Sequence, residues 1–162
     1  MSQVRLLFVC MGNICRSPTA EAVMRDLVAQ AGLEHAVAVD SAGTGGWHAG
    51  DPPDGRSVAA AARRGVNVGG TARQVATADF DAFDLLLAMD HANARELRAR
   101  APGPGGAAKV RLLREFDPAS DSDLEVPDPY YGGGDGFDLV LDLVDAACRG
   151  LLDDVRLRLA AG

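Results

Sequence analysis

Short apolar runs alternate along this chain with segments whose apolar residues recur at helical spacing, and the alternation predicts its elements. Residues 4–9, Val-Arg-Leu-Leu-Phe-Val, read as a first strand. Residues 18–31 carry Ala22, Val23, Leu27 and Val28 at helix spacing, and this helix is expected to begin at Pro18. A short second strand is predicted over 36–40, then a Gly- and Pro-rich loop over 43–55, then a helix over 56–64 that ends at Gly65. A buried third strand follows at 84–89, a surface helix at 91–100, a turn at 102–106 and a fourth strand at 110–113. Residues 117–136, dense in Asp, Ser, Pro and Gly, read as a long loop, and the stretch from 137 to 159 as a last helix. No internal repeat is visible.

Strands and helices in alternation imply a parallel sheet with helices on both faces. The expected architecture is α/β: a single three-layer domain over residues 1–162 around a four-stranded parallel sheet. Ligands of such sheets bind at the carboxyl ends of the strands. Cys10 follows the first strand, Asp90 ends the third, and the long loops follow the second and fourth, so the polar candidates share one edge. A long structureless loop in a small domain is usually functional or disordered. The Asp128-Pro129-Tyr130-Tyr131 run within it favours function.

Composition narrows the classes. With 162 residues, 48% hydrophobic and 24% charged, the chain suits a soluble globular protein with a real core. The N-terminus has no apolar run longer than a strand, so neither a signal peptide nor a membrane span is expected. A cytoplasmic location follows, with secretion lacking a signal peptide left open. Three cysteines make no disulfide framework, and a reducing compartment suits a reactive thiol. A net charge of −7 argues against nucleic-acid and membrane-surface partners. Lys109 is the sole lysine and is followed by Val110, which excludes a Walker-type phosphate loop. Cys10 and Cys15 have the wrong spacing for a zinc knuckle, and His35, His48 and His91 are scattered, so no metal is expected. A monomer or weak oligomer without a cofactor is the expectation.

The stretch Phe8-Val9-Cys10-Met11-Gly12-Asn13-Ile14-Cys15-Arg16-Ser17-Pro18 carries the chemistry. A strand ends in a cysteine, six residues before an arginine, and a helix begins. Backbone N–H groups in such a loop make an anion cradle. Arg16 can grip two phosphate oxygens at once, which a lysine could not. A free thiol has a pKa of about 8.5, and a helix N-terminus with a nearby cation lowers it to roughly 3.5–7.5, so Cys10 is the candidate nucleophile. Its plainer reading is an inert core cysteine, which Gly12, Asn13 and Arg16 as neighbours disfavour. Gly12 and Asn13 are residue types that tolerate the unusual backbone angles needed to turn N–H groups inward. Ser17 reads either as a helix cap before Pro18 or as a hydroxyl donor to the Cys10 sulfur. Asp128 reads either as a turn residue before Pro129 or as a general acid on a loop. Trp47, His48, Met11, Ile14, Tyr130 and Tyr131 are candidate walls for a flat aromatic substrate, and Trp47 is the sole tryptophan, set among glycines. The tyrosines read equally as surface aromatics or phosphorylation targets. Asn13, Asp90 and Asn93 are candidate supports for the loop, or local caps. Cys148 reads as core.

Residues Cys10 through Pro18, with Ala20 and Glu21, resemble the signature of the low-molecular-weight protein tyrosine phosphatases. Ser41-Ala42-Gly43-Thr44, Trp47-His48, Ala72-Arg73-Gln74, Met89-Asp90 and Asp128-Pro129-Tyr130-Tyr131 follow in that family's order, over nearly the whole chain. The resemblance implies a metal-free protein-tyrosine-phosphatase that hydrolyses phosphotyrosine, and small aryl phosphates, through a cysteinyl-phosphate. Cys10 is then the nucleophile, Arg16 the phosphate ligand, Asp128 the general acid and base, and Ser17 the donor to sulfur. Met11, Gly12, Asn13, Ile14, Cys15 and Arg16 bind phosphate or substrate, with Trp47, Tyr130 and Tyr131 as walls. Phosphotyrosine-containing proteins are the implied partners. By the same resemblance a reversible disulfide between Cys10 and Cys15 protects the nucleophile, against the plainer reading of Cys15 as a small buried side chain. One departure stands out: the family often has a histidine supporting the loop asparagine where this chain has Gly70, which leaves open how Asn13 is held.

Three alternatives compete. Arsenate reductases of this fold need further cysteines, and residues 81–90 hold none. Protein-arginine phosphatases by resemblance carry a threonine in place of Ile14 and lack the tyrosine pair. A phosphotyrosine- or anion-binding module without catalysis would not need both Cys10 and Asp128.

Overall fold

The computed structural model describes residues 3–130 and 135–162. Strand β1 (Val4–Cys10) lies between β2 (Val37–Gly43) and β3 (Leu85–Ala88), and β4 (Val110–Leu112) lies outside β3. The sheet order is β2-β1-β3-β4, and every pairing is parallel. Leu6, Leu7, Phe8 and Val9 are each 0% exposed, which is why β1 reads as a continuous apolar run rather than an alternating one. The side chains still alternate. Leu6 and Phe8 enter one core with α1 (Arg16–Gln30) and α6 (Asp135–Ala161), while Leu7 and Val9 enter a second with Ala94 and Leu97 of α4 (His91–Arg100). Helices cover both faces, giving the three layers expected.

Helix α6 presents Phe137, Val140, Leu141, Val144, Cys148, Leu151 and Val155 to the first core, a stripe at steps of three and four. Cys148 is buried there, and burial raises its thiol pKa, as its core reading requires. Helix α2 (Gly55–Ala62) is capped by Asp54, whose carboxylate accepts from the Arg56 N–H. Two four-residue helices were not foreseen: α3 (Asp79–Ala82), and α5 (Pro104–Ala107) within the stretch expected as a turn. Among the described residues no helix is long and apolar enough to cross a membrane.

Two boundaries move in ways that matter. Helix α1 starts at Arg16, two residues before Pro18, so Pro18 sits inside the first turn, where its missing N–H would have had no partner. Strand β2 runs on to Gly43, because Gly43, Thr44 and Gly45 bond to the chain beside them: Thr44 N–H donates to the Cys10 carbonyl at 2.9 Å and Gly45 N–H to the Met11 carbonyl at 2.9 Å. A Cβ at Gly43 would lie 2.8 Å from the Met11 carbonyl oxygen, so the strand end admits only glycine at this approach.

Candidate active site

The loop from Cys10 to Arg16 leaves the carboxyl end of β1 and runs into α1. Asn13 has a φ of 58°, the left-handed region, and its N–H donates to Cys10 Sγ at 3.2 Å. Gly12 does not share that conformation; its reason is space, since a Cβ there would stand 3.0 Å from the His48 ring. The N–H groups of Gly12, Ile14, Cys15, Arg16 and Ser17 have no acceptor among the described residues. A set of open donors at a helix N-terminus suits a phosphate.

Arg16 is 3% exposed. Its Nη1 donates to Asp90 Oδ2 at 2.7 Å and to the Val126 carbonyl at 3.0 Å, while Nη2 lies 3.6 Å from Asp128 Oδ2. Burial works against its charge, but the Cys10 sulfur, Asp90 and Asp128 more than offset it and hold the guanidinium above its ordinary pKa. With Nη1 occupied, Nε and Nη2 form the edge of the fork that faces the pocket, where Nη2 has only the 3.6 Å ion pair with Asp128. Asp90 does both jobs considered for it: Oδ2 takes Arg16, and Oδ1 accepts the Asn93 N–H as the cap of α4. Asn93 contributes this backbone N–H, and its buried Oδ1 has no hydrogen-bond partner among the described residues.

Asn13 and Ser17 stand behind the loop. Asn13 Nδ2 donates to Ser17 Oγ at 2.8 Å and to Ser41 Oγ at 3.0 Å, and its Oδ1 accepts the Arg73 N–H at 3.0 Å. Arg73 is itself clamped by Asp79 at 3.0 Å and Asp40 at 3.2 Å. Asn13 is therefore held with no histidine at position 70, where Gly70 has a φ of +86° and open space around it. Ser17 is the second residue of α1, and the cap position falls on Cys15, which makes no side-chain cap bond; the cap reading of Ser17 is overturned. Its hydroxyl lies 3.0 Å from Cys10 Sγ and 3.4 Å from the Ala42 carbonyl. It can donate to sulfur when the sulfur is a thiolate, and to Ala42 when the thiol itself donates.

A pocket of about 80 Å³ opens over this floor, reached by Cys10, Met11, Gly12, Ile14, Cys15 and Arg16. Trp47, His48, Tyr130 and Asp128 stand around its mouth. Trp47 is 66% exposed, which removes it from the core, and its ring lies over Gly45, where any Cβ would collide. His48 lies between Trp47 and Tyr130, with ring centroids 6.5 and 6.4 Å away, and its Nδ1 is 3.2 Å from Asp51 Oδ2. Asp128 Oδ1 accepts the Tyr130 N–H at 3.0 Å. Tyr131 lies outside the described residues. All three cysteines are free. Burial pushes the Cys15 thiol up to about 12, against a hydrogen bond with Ser57 that acts the other way.

Several contributors escaped the sequence reading. The Val126 carbonyl holds Arg16, and Val126 N–H donates to the Met89 carbonyl at 2.8 Å, so the long loop is anchored at the sheet edge. The Ser41 hydroxyl and the Arg73 N–H have no signal of their own; the Ser41-Ala42-Gly43-Thr44 and Ala72-Arg73-Gln74 runs marked only their neighbourhoods.

The family model described as low molecular weight phosphotyrosine protein phosphatase matches residues 5–160. The low molecular weight protein-tyrosine-phosphatase of Streptomyces coelicolor is 54% identical over 153 residues, which span 94% of this chain and 93% of that one. A crystal structure of a protein tyrosine phosphatase from Entamoeba histolytica superposes with a TM-score of 0.91 at 40% identity, covering 95% of this chain and 97% of that chain. The crystal structure of YfkJ from Bacillus subtilis gives a TM-score of 0.90 at 42% identity, covering 98% of each.

Proposed function

The chain belongs to the low molecular weight phosphotyrosine protein phosphatases, which are hydrolases, and from that premise we propose that it cleaves phosphotyrosine through a cysteinyl-phosphate. The observation that carries this reading is the convergence of Cys10 Sγ, the buried Arg16 fork and the Asp128 carboxyl on one narrow pocket.

The phosphoryl oxygens enter the loop, where the open N–H groups and the Nε/Nη2 edge of Arg16 receive them. These donors face the equatorial oxygens, where negative charge gathers in the transition state. Cys10 attacks as thiolate: the S–P bond forms, the P–O bond to the tyrosyl oxygen breaks, and that oxygen takes a proton from Asp128. In the second half Asp128, now a carboxylate, takes a proton from water. The water oxygen attacks phosphorus, the S–P bond breaks, and inorganic phosphate is released. The Ser17 hydroxyl, 3.0 Å from sulfur, donates to the departing thiolate. Asn13 Nδ2 donates to that same hydroxyl oxygen, which aligns the chain of donors toward sulfur.

Trp47, His48 and Tyr130 at the mouth and Ile14 in the pocket support an aryl ester as substrate. Ile14 offers an apolar surface, which suits a tyrosyl ring better than a charged guanidino group. Cys15 lines the same pocket as Cys10, a placement that suits a protective disulfide between them. Phosphate release from a phosphotyrosine peptide, measured with a chelator present, tests the reading. Turnover by the wild type and none by Cys10→Ser is the expected result; equal turnover by both would refute a cysteinyl-phosphate.

A further inference from the structure

Arg56, near the start of α2, joins the floor of the pocket to the segment that bears Asp128. Asp54 donates its N–H to the Ile14 carbonyl at 2.8 Å, which ties the cap of α2 to the Cys10–Arg16 loop. Its carboxylate takes the Arg56 side chain at two points, Nε to Oδ1 at 3.1 Å and Nη2 to Oδ2 at 2.9 Å. The same guanidinium lies over the Tyr130 ring, 5.4 Å from its centroid, and over the Phe137 ring at 4.8 Å. Its Nη2 also donates to the Tyr130 carbonyl at 3.4 Å. Tyr130 in turn donates its N–H to Asp128 Oδ1. Only a planar, forked cation can pair edge-on with a carboxylate while its faces meet rings.

From this geometry we infer that Arg56 is a positioning residue for the acid: it holds the Asp128–Tyr130 turn against the loop so that the Asp128 carboxyl stays at the leaving oxygen. Arg56 is half exposed and does not line the pocket, so its effect runs through Asp128 rather than through the substrate. The inference rests on the acid role of Asp128 in the proposed function.

The test compares kcat/KM for 2,4-dinitrophenyl phosphate, whose leaving group needs no proton, with phenyl phosphate, whose leaving group does. Arg56→Ala should lose about tenfold or more on phenyl phosphate and less than about twofold on the dinitrophenyl ester, because general acid catalysis serves only the poor leaving group. Arg56→Lys, which keeps the charge without the fork, should fall between. In an Asp128→Ala background the Arg56→Ala change should have an effect below about twofold on either ester, as coupled residues require. An equal loss on both esters, or independent effects in the double variant, overturns the inference. An unchanged Arg56→Ala beside an active wild type overturns it while leaving the parent reading intact. A wild type inactive on both esters overturns the two together.

Discussion

Replacing Asn13 by alanine tests whether the loop is held from behind. The substitution removes three side-chain hydrogen bonds, to Ser17, Ser41 and the Arg73 N–H. Each is worth about 1 kcal/mol net in a buried setting, so their loss removes about 3 kcal/mol. Alanine must also adopt the φ of 58°, which adds about 1 kcal/mol because its Cβ crowds the carbonyl. The sum, about 4 kcal/mol, corresponds to a fall in Tm of about 8–16 °C for a chain of this size. Asn13→Gly separates the two parts, since glycine accepts the dihedral and makes none of the bonds; it should lose about 3 kcal/mol. Urea unfolding of the three proteins, with the slope unchanged, measures both differences. kcat/KM should fall beyond what stability explains, because the Ser17 hydroxyl beside Cys10 Sγ loses the Asn13 Nδ2 donor that orients it. An Asn13→Ala protein within about 1 kcal/mol of the wild type, or equal to Asn13→Gly, would refute this account of the loop.

Two further outcomes follow from neighbouring groups. Ser17→Ala removes the donor to the leaving thiolate, a hydrogen bond to a charged group worth about 1.5–3 kcal/mol, so cysteinyl-phosphate breakdown should slow by about tenfold to a hundredfold. Rapid mixing should then show a burst of aryl alcohol release, and a kcat that falls without a burst would sink the role. Cys15 keeps its proton up to about 12 in the folded chain while an unfolded chain releases it near 9.0, so its stabilising share is present below pH 9 and lost as pH rises toward 12. The urea midpoint of the wild type should therefore drop more steeply above pH 9 than that of Cys15→Ala, and parallel profiles would contradict the burial argument.

The sheet was legible because β1 and β3 are short apolar runs with no competing helical period, and α6 because its stripe is long. The loop was legible because its residues are contiguous, from Cys10 to Ser17. What supports that loop is not. The Val126 carbonyl and the Arg73 N–H are backbone groups that any residue would provide, so no side chain announces them. Helix α1 begins before Pro18 because the turn of the loop, not the proline, sets its first residue. Ser41, Ala42 and Gly43 are weak strand formers, and it is the ladder with β1, the neighbouring bonds to the Cys10 and Met11 carbonyls and the bridge from Gly43 to Gln74 that extend β2 through them. Helices α3 and α5 are single turns, too short for any period to show.

Arg16 has acceptors 74 and 110 positions further along, in Asp90 and Val126. During synthesis at roughly 5–20 residues per second, Cys10 and Arg16 precede Val126 by about 5–20 s. Until Asp90 is made the cation has neither acceptor, and from Asp90 to Val126 it has only the first, so the cradle is incomplete throughout. A chain halted on the ribosome before Val126 carries Cys10 and Arg16 without an assembled site. A fragment that ends before Val126 is therefore expected to release no phosphate from an aryl ester, whatever the state of its Cys10–Arg16 loop.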